Sequence, residues 1–204
     1  KQEHTIIAFV FLFVKKTLTL QKSKTLKKIV VTGPESVGKT TLCMELQKRL
    51  NAVIIPEYAR TYIESIGRHY TYDDVEQIAR RQVAEFKKAV ADNKDKDFLI
   101  MDTFLIVTKV WFMHVYERCP KWLLSEIDNE KIDLYILLKP DIEWEEDPVR
   151  ENPHIREYLY EWYKKEIEQI GANYVEIGGE GSIRTKRALR AINKLKGEKT
   201  QISD

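Results

Sequence analysis

The sequence predicts a three-layer α/β/α domain in which a five-stranded parallel sheet lies between two layers of helices. Three observations predict it. The apolar stretch Ile29-Val30-Val31-Thr32 runs into Gly33-Pro34-Glu35-Ser36-Val37-Gly38-Lys39-Thr40, which reads G-x-x-x-x-G-K-T, and an amphipathic helix follows. Strand-length apolar runs then alternate with helical patterns from residue 29 to residue 195, the rhythm of parallel βαβ units. Finally, Lys39, Glu57, Asp102, Arg150 and Arg156 all fall after strand ends, which gathers them at one edge of the sheet.

Composition sets the outer bounds. The 204 residues, 43% of them hydrophobic, suffice for one α/β domain with its own core. Basic and acidic residues number 34 and 32 and are interspersed, which argues against a nucleic-acid partner. Cys43 and Cys119 make neither a disulfide framework nor a metal cluster, so a reduced, cytoplasmic protein is expected. Cys43 reads as a packing residue of the helix after the loop.

Residues 1–28 read as an arm outside the domain, an added strand or a poorly ordered segment. Thr5 to Val14 is intensely apolar but ten residues long, and a membrane-spanning helix needs about 20. No membrane partner is expected, and residues 1–24 are expected to be dispensable for catalysis.

The domain proper spans 29–196. Its first strand, 29–32, delivers the chain to a turn that glycine tolerates best. The loop then aims successive backbone N–H groups at phosphate oxygens. Lys39 adds charge at the outer phosphates, the Thr40 hydroxyl suits Mg²⁺, and the helix from Thr41 offers its N-terminus to an anion. Gly33, Pro34, Glu35, Ser36, Val37, Gly38, Lys39, Thr40 and Thr41 are the candidate ATP-binding set.

Ala52 to Pro56 reads as a short buried strand, followed by Glu57-Tyr58-Ala59-Arg60-Thr61-Tyr62 where open sheets bind ligands. Thr71-Tyr72-Asp73-Asp74 reads as a helix cap, and Val75, Ile78, Ala79, Val83, Phe86 and Val90 keep helical spacing to about Asp92. Phe98 to Asp102 is an apolar strand ending in a carboxylate, the pattern of a Walker B segment that holds Mg²⁺. In the helix from Thr103 to Glu117, the aromatics Trp111, Phe112 and Tyr116 read as core.

Ile132 to Leu138 is the fourth strand. Leu138-Lys139-Pro140-Asp141 resembles a guanine-reading motif but lacks its Asn, and is set aside. Residues 141–157, charged and punctuated by proline, read as a mobile lid whose arginines close over a transferring phosphate. A helix from Glu157 to Gly171, a fifth strand over 173–177 and a basic helix from Ile183 to about Leu195 complete the domain. The loop after the last strand is expected to border adenine, and residues 197–204 to fray.

With these residues in place, the chain resembles the ribosylnicotinamide kinase domain of NadR-type NAD-biosynthesis proteins and their stand-alone P-loop relatives. The resemblance covers about residues 29–180. It rests on GPESVGKTTL at 33–42, PEYARTY at 56–62, the helix of Tyr72, Ile78, Ala79 and Gln82, MDT with Thr108 and Trp111, and LLKPDIEWEEDPVR at 137–150. It implies a P-loop NTPase-type fold with a helical lid. It also implies transfer of the ATP γ-phosphate to the 5′-hydroxyl of nicotinamide riboside.

The resemblance places Lys39 and the loop amides on ATP, and Thr40 and Asp102 on Mg²⁺. It sets Glu57 beside the acceptor hydroxyl and Arg150 and Arg156 in the lid. Tyr58, Arg60, Tyr62, Gln82, Thr108 and Trp144 would border the nucleoside. Bifunctional members carry a nucleotidyltransferase domain ahead of the kinase, which residues 1–28 are too short to hold. This chain is therefore expected neither to form the dinucleotide nor to bind an operator. Alternatives are a kinase of another nucleoside or nucleotide, and an ATP-binding regulatory module.

Overall fold

The computed structural model describes residues 25–147, 153–195 and 197. The sequence expectations for residues 1–24, the greater part of the arm, for Arg150 and for most of the tail lie outside the described residues. Five strands form one sheet: β1 (Lys27–Thr32), β2 (Ala52–Ile55), β3 (Phe98–Asp102), β4 (Leu134–Leu138) and β5 (Tyr174–Ile177). All pairings are parallel, in the order β2-β3-β1-β4-β5. The chain leaves β1 toward one edge and later returns to build the other, so β1 sits where the winding reverses. The crevice beyond the carboxyl ends of the strands at that point is where open α/β sheets take ligands.

Side chains alternate across each strand, and the two faces bury different sets. Val30, Leu99, Met101, Tyr135 and Leu137 face a core completed by helices α3 (Tyr72–Asp92), α4 (Leu105–Tyr116), α5 (Lys121–Asn129) and α6 (Arg156–Gln169). Ile29, Val31, Ile100, Leu134 and Ile136 face a smaller core under α1 (Lys39–Gln47) and α7 (Ser182–Leu195). Strands covered on both faces carry near-continuous apolar runs, which is why β3 and β4 are buried throughout. β2 differs from the reading of a buried strand: it is a sheet edge and all four of its residues are half-buried. Apolar composition alone does not separate an edge strand from a central one.

Two helices are absent from the sequence reading. α2 (Tyr58–Ile66) has no fully buried residue, and α5 follows Pro120 with only Leu123 and Ile127 buried. Both are short, and short segments carry little periodic signal. Among the described residues no helix is long and apolar enough to cross a membrane.

α3 starts as expected. The Thr71 hydroxyl accepts the Asp74 amide, and the Asp74 carboxylate accepts the Thr71 amide at 2.7 Å, a capping box. That carboxylate also takes two bonds from Arg68, at 2.6 and 2.9 Å, and one from the Tyr62 hydroxyl at 2.8 Å. One buried carboxylate thereby joins α2, the following turn and α3. Arg68 and the Thr71 donors hold its carboxyl far below the usual range. A carboxyl depressed on folding stabilises above its unfolded titration and loses that contribution as pH falls. Asp74→Asn is therefore expected to lower Tm at neutral pH, with the gap to wild type closing as the medium is acidified. Thermal melts over a pH series check this.

Candidate active site

The phosphate-type loop is shaped by positions where few residues fit. Gly33 has φ 144°, and a Cβ there would lie 2.8 Å from the Leu138 carbonyl oxygen. Ser36 (φ 54°) and Gly38 (φ 74°) are also left-handed. Three carbonyls of the loop are taken up by cations. Lys39 Nζ donates to Pro34 O at 2.8 Å, Arg156 Nη2 to Ser36 O at 3.1 Å, and Arg184 Nη1 to Val37 O. In a trans peptide the next N–H points opposite to its C=O. The amides of Glu35, Val37 and Gly38 are thus turned the other way, as an anion-binding nest requires.

Arg184 is buried, and it also binds the carbonyls of Lys139 and Gly179 and the carboxylate of Asp141. It ties the ends of β4 and β5 to the loop. Asp141, the acid of the motif set aside, serves this framework.

Asp102 ends β3 directly beside Val31 of β1. Its Oδ2 accepts the Thr40 hydroxyl at 2.5 Å, while its buried Oδ1 has no hydrogen-bond partner. Burial raises the Asp102 carboxyl, and the Thr40 bond and the Lys39 charge oppose that. The chain turns sharply after it: Thr103 is left-handed at φ 65°, with its amide still bonded to Val31 O at 3.0 Å. Such a conformation is an outlier for a β-branched residue and is found disproportionately at functional sites. Among the described residues no group of three His, Cys, Asp or Glu side chains could by itself hold a metal. One hydroxyl plus one carboxylate with an orphaned oxygen does suit Mg²⁺, which keeps several waters and shares phosphate oxygens.

These groups open into a cleft of about 1120 Å³. Its lining falls into two groups: Glu180, Gly181, Ser182 and Thr185 at the start of α7, taken as one arm, and residues of α2, α3, α4 and α6, taken as the second. In the second arm Glu57, the N-cap of α2, is half-buried. Burial raises its carboxyl, Lys39 pulls it back, and the charges of Asp102 and Glu35 push it up again. Deeper in the same arm the Thr108 hydroxyl donates to Gln82 Oε1 at 2.8 Å, among Val75, Ile78, Val107, Tyr70 and Trp111.

The structure gathers Glu35, Ser36, Lys39, Thr40, Thr41, Glu57, Arg60, Gln82, Thr108 and Trp144 around one cleft, with Asp102 held against Thr40. Pro34 stays behind the loop as the acceptor for Lys39. Tyr58 and Tyr62 are not brought to the cleft. Tyr58 lies under Arg81, and Tyr62 is spent on Asp74. Arg156 reaches the loop, but on carbonyls rather than over the cleft, with Nη1 on Ile142 O at 3.0 Å and Nη2 on Ser36 O. Trp111, read as core, lines the cleft, whereas Phe112 is fully buried.

Two contributors, Arg184 and Tyr163, went unread, and Ser36, read as a phosphate-loop residue, has a second task. The Ser36 hydroxyl accepts the Glu145 amide at 2.9 Å and docks the 142–145 segment on the loop. Arg184 is one of five basic residues in α7, and nothing in its spacing sets it apart. Tyr163, on α6, lines the second arm. Cys43 is buried behind the loop with its thiol pushed well up by burial and by Asp102, in keeping with a packing role.

A sequence model described as an AAA domain matches residues 28–186. The crystal structure of NadR protein in complex with NR superposes with a TM-score of 0.73 at 24% identity, covering 88% of this chain and 53% of that one. Deoxyadenosine kinase from M. mycoides gives 0.55 at 16% identity, over 84% of this chain and all of its own. The tRNA dimethylallyltransferase of Fusobacterium nucleatum subsp. nucleatum is 34% identical over an aligned 93 residues, 37% of this chain and 31% of that protein. The chain thus spans about half of the NadR structure and under a third of the transferase. The structural likenesses are likenesses of fold.

Proposed function

The chain belongs to the AAA domain family, and we propose that it is an ATP-dependent kinase of a nucleoside, acting on nicotinamide riboside. The observation that carries this reading is the second arm of the cleft. A single-ligand pocket holds roughly 300–1,000 Å³, and here about 1120 Å³ continues past the loop into an aromatic, amide-bearing arm with a carboxylate at its mouth. That space suits a second ligand beside ATP.

The charge of the arm supports an unphosphorylated acceptor. A nucleotide acceptor needs cations for its own phosphate. Among the described residues the cations lining the cleft are Lys39, Arg49, Arg60 and Arg184; Arg60 is the one carried by α2, and it is engaged by Asp147 at 2.7 Å and Glu64 at 2.9 Å. Glu35 and Glu57 line the same space. The likeness of fold to NadR with NR directs the choice of nucleoside.

The chain's residues would divide the work as follows. The amides of Glu35, Val37 and Gly38 would hold phosphate oxygens, and Lys39 would leave Pro34 O for the outer phosphates. Thr40 and Asp102 would hold Mg²⁺, which when bound neutralises charge on the transferring phosphoryl group. Glu57 would orient the acceptor hydroxyl and take its proton. A bond forms between that oxygen and the γ-phosphorus, the bond to the bridging oxygen breaks, and ADP departs. The docked 142–145 segment would keep water out. Arg150 is proposed as a lid residue on its sequence position alone.

The test is ADP release with a panel of nicotinamide riboside, other nucleosides and nucleoside monophosphates. Highest kcat/KM for nicotinamide riboside is expected. A better nucleoside would overturn the substrate and leave the kinase standing. Preference for a monophosphate would overturn the charge argument.

A further inference from the structure

The second arm contains a polar group with no assigned task. Tyr163 lies in the middle of α6, one turn from Leu159, and both side chains line the cleft. The residue is 4% exposed and packs into the larger core with Leu159, Tyr160 and Ile167. Tyr160 resembles it in type and depth, and its hydroxyl is spent on Glu176. Among the described residues the Tyr163 hydroxyl has no hydrogen-bond partner, yet it is not one of the fully enclosed orphan atoms, and the residue lines the cleft. A buried phenol ordinarily finds a partner, because an unmade bond there costs stability. Leu159, one turn earlier on the same lining face, shows that an apolar side chain would satisfy the packing.

We propose that Tyr163 is an acceptor-binding residue, its hydroxyl donating to a sugar oxygen of the nucleoside and setting that sugar against Glu57. This rests on the kinase reading. Two features of the surroundings agree with it. Burial, together with the charges of Glu35 and Glu57, raises the phenol so that it keeps its proton and remains a donor. Gln82 and Thr108, bonded to each other, line the same cleft and would offer the acceptor a polar contact separate from Tyr163.

The experiment compares wild type with Tyr163→Phe, using nicotinamide riboside as acceptor probe and ATP as donor. The substitution keeps the ring and breaks no hydrogen bond among the described residues. The loss of one neutral hydrogen bond predicts an acceptor KM raised about three- to ten-fold, with ATP KM and Tm unchanged. An unchanged acceptor KM overturns the proposal. So does a parallel fall in Tm and rise in both KM values, which would mark Tyr163 as a packing residue. Absence of turnover with every nucleoside in the wild type overturns the kinase reading itself, and this contact with it.

Discussion

Glu57→Gln is expected to lower kcat with the acceptor by roughly 10²–10⁴-fold, the usual worth of a positioned general base, while ATP affinity stays near wild type. An alcohol attacks poorly until its proton has somewhere to go, and Glu57 is the carboxylate at the mouth of the acceptor arm. Phosphoryl transfer is largely dissociative, so orientation counts along with basicity. Glutamine keeps size and one acceptor atom and removes the base.

The pH dependence follows from the raised carboxyl. The active form is ionised, so the acidic limb of kcat/KM for the acceptor should lie at higher pH than an ordinary carboxylate would give, and should vanish in the variant. Stability should move the opposite way. A carboxyl raised on folding is best tolerated when protonated, and its contribution is lost as pH rises through its folded value. Glu57→Gln should therefore keep or raise Tm at neutral pH. A lower Tm with kcat near wild type would make Glu57 a structural residue.

Lys39→Ala is expected to reduce turnover by about 10²–10³-fold or more, the scale seen when one preorganised donor to a developing charge is removed, and to weaken ATP binding as well. Two effects combine. The outer phosphates lose a cation, and Pro34 O loses the donor that holds the first bend of the loop. Calorimetry for ATP and steady-state turnover measure them separately. Equal ATP affinity with unchanged turnover would remove Lys39 from the site.

Much of this was legible in local pattern. Alternating apolar runs give the strands because side chains alternate across a sheet buried on both faces, and Thr71 with Asp74 announces the start of α3. G-x-x-x-x-G-K-T is readable because its physics is local: glycine is required where a Cβ would strike Leu138 O. Asp102 is readable because a carboxylate ending a buried strand must find a partner, here Thr40. Tyr62, by contrast, sits in the right stretch, PEYARTY, and its role still failed to follow from it. Whether a tyrosine on a short helix meets a ligand or Asp74 depends on how α2 turns against α3.

By itself, then, the sequence determined the five strands, the longer helices, the phosphate-type loop and the carboxylates at the strand ends, since each is encoded within a few neighbouring residues. The tertiary structure alone decided the rest. Arg184 reaches Val37 across 147 positions and Arg156 reaches Ser36 across 120, and Thr108 meets Gln82 from a different helix. Tyr160 and Tyr163 are three residues apart on one helix, and only packing sends one hydroxyl to Glu176 and leaves the other open to the cleft. Contacts between distant segments depend on how helices pack on the sheet, and no local run of residues carries that geometry.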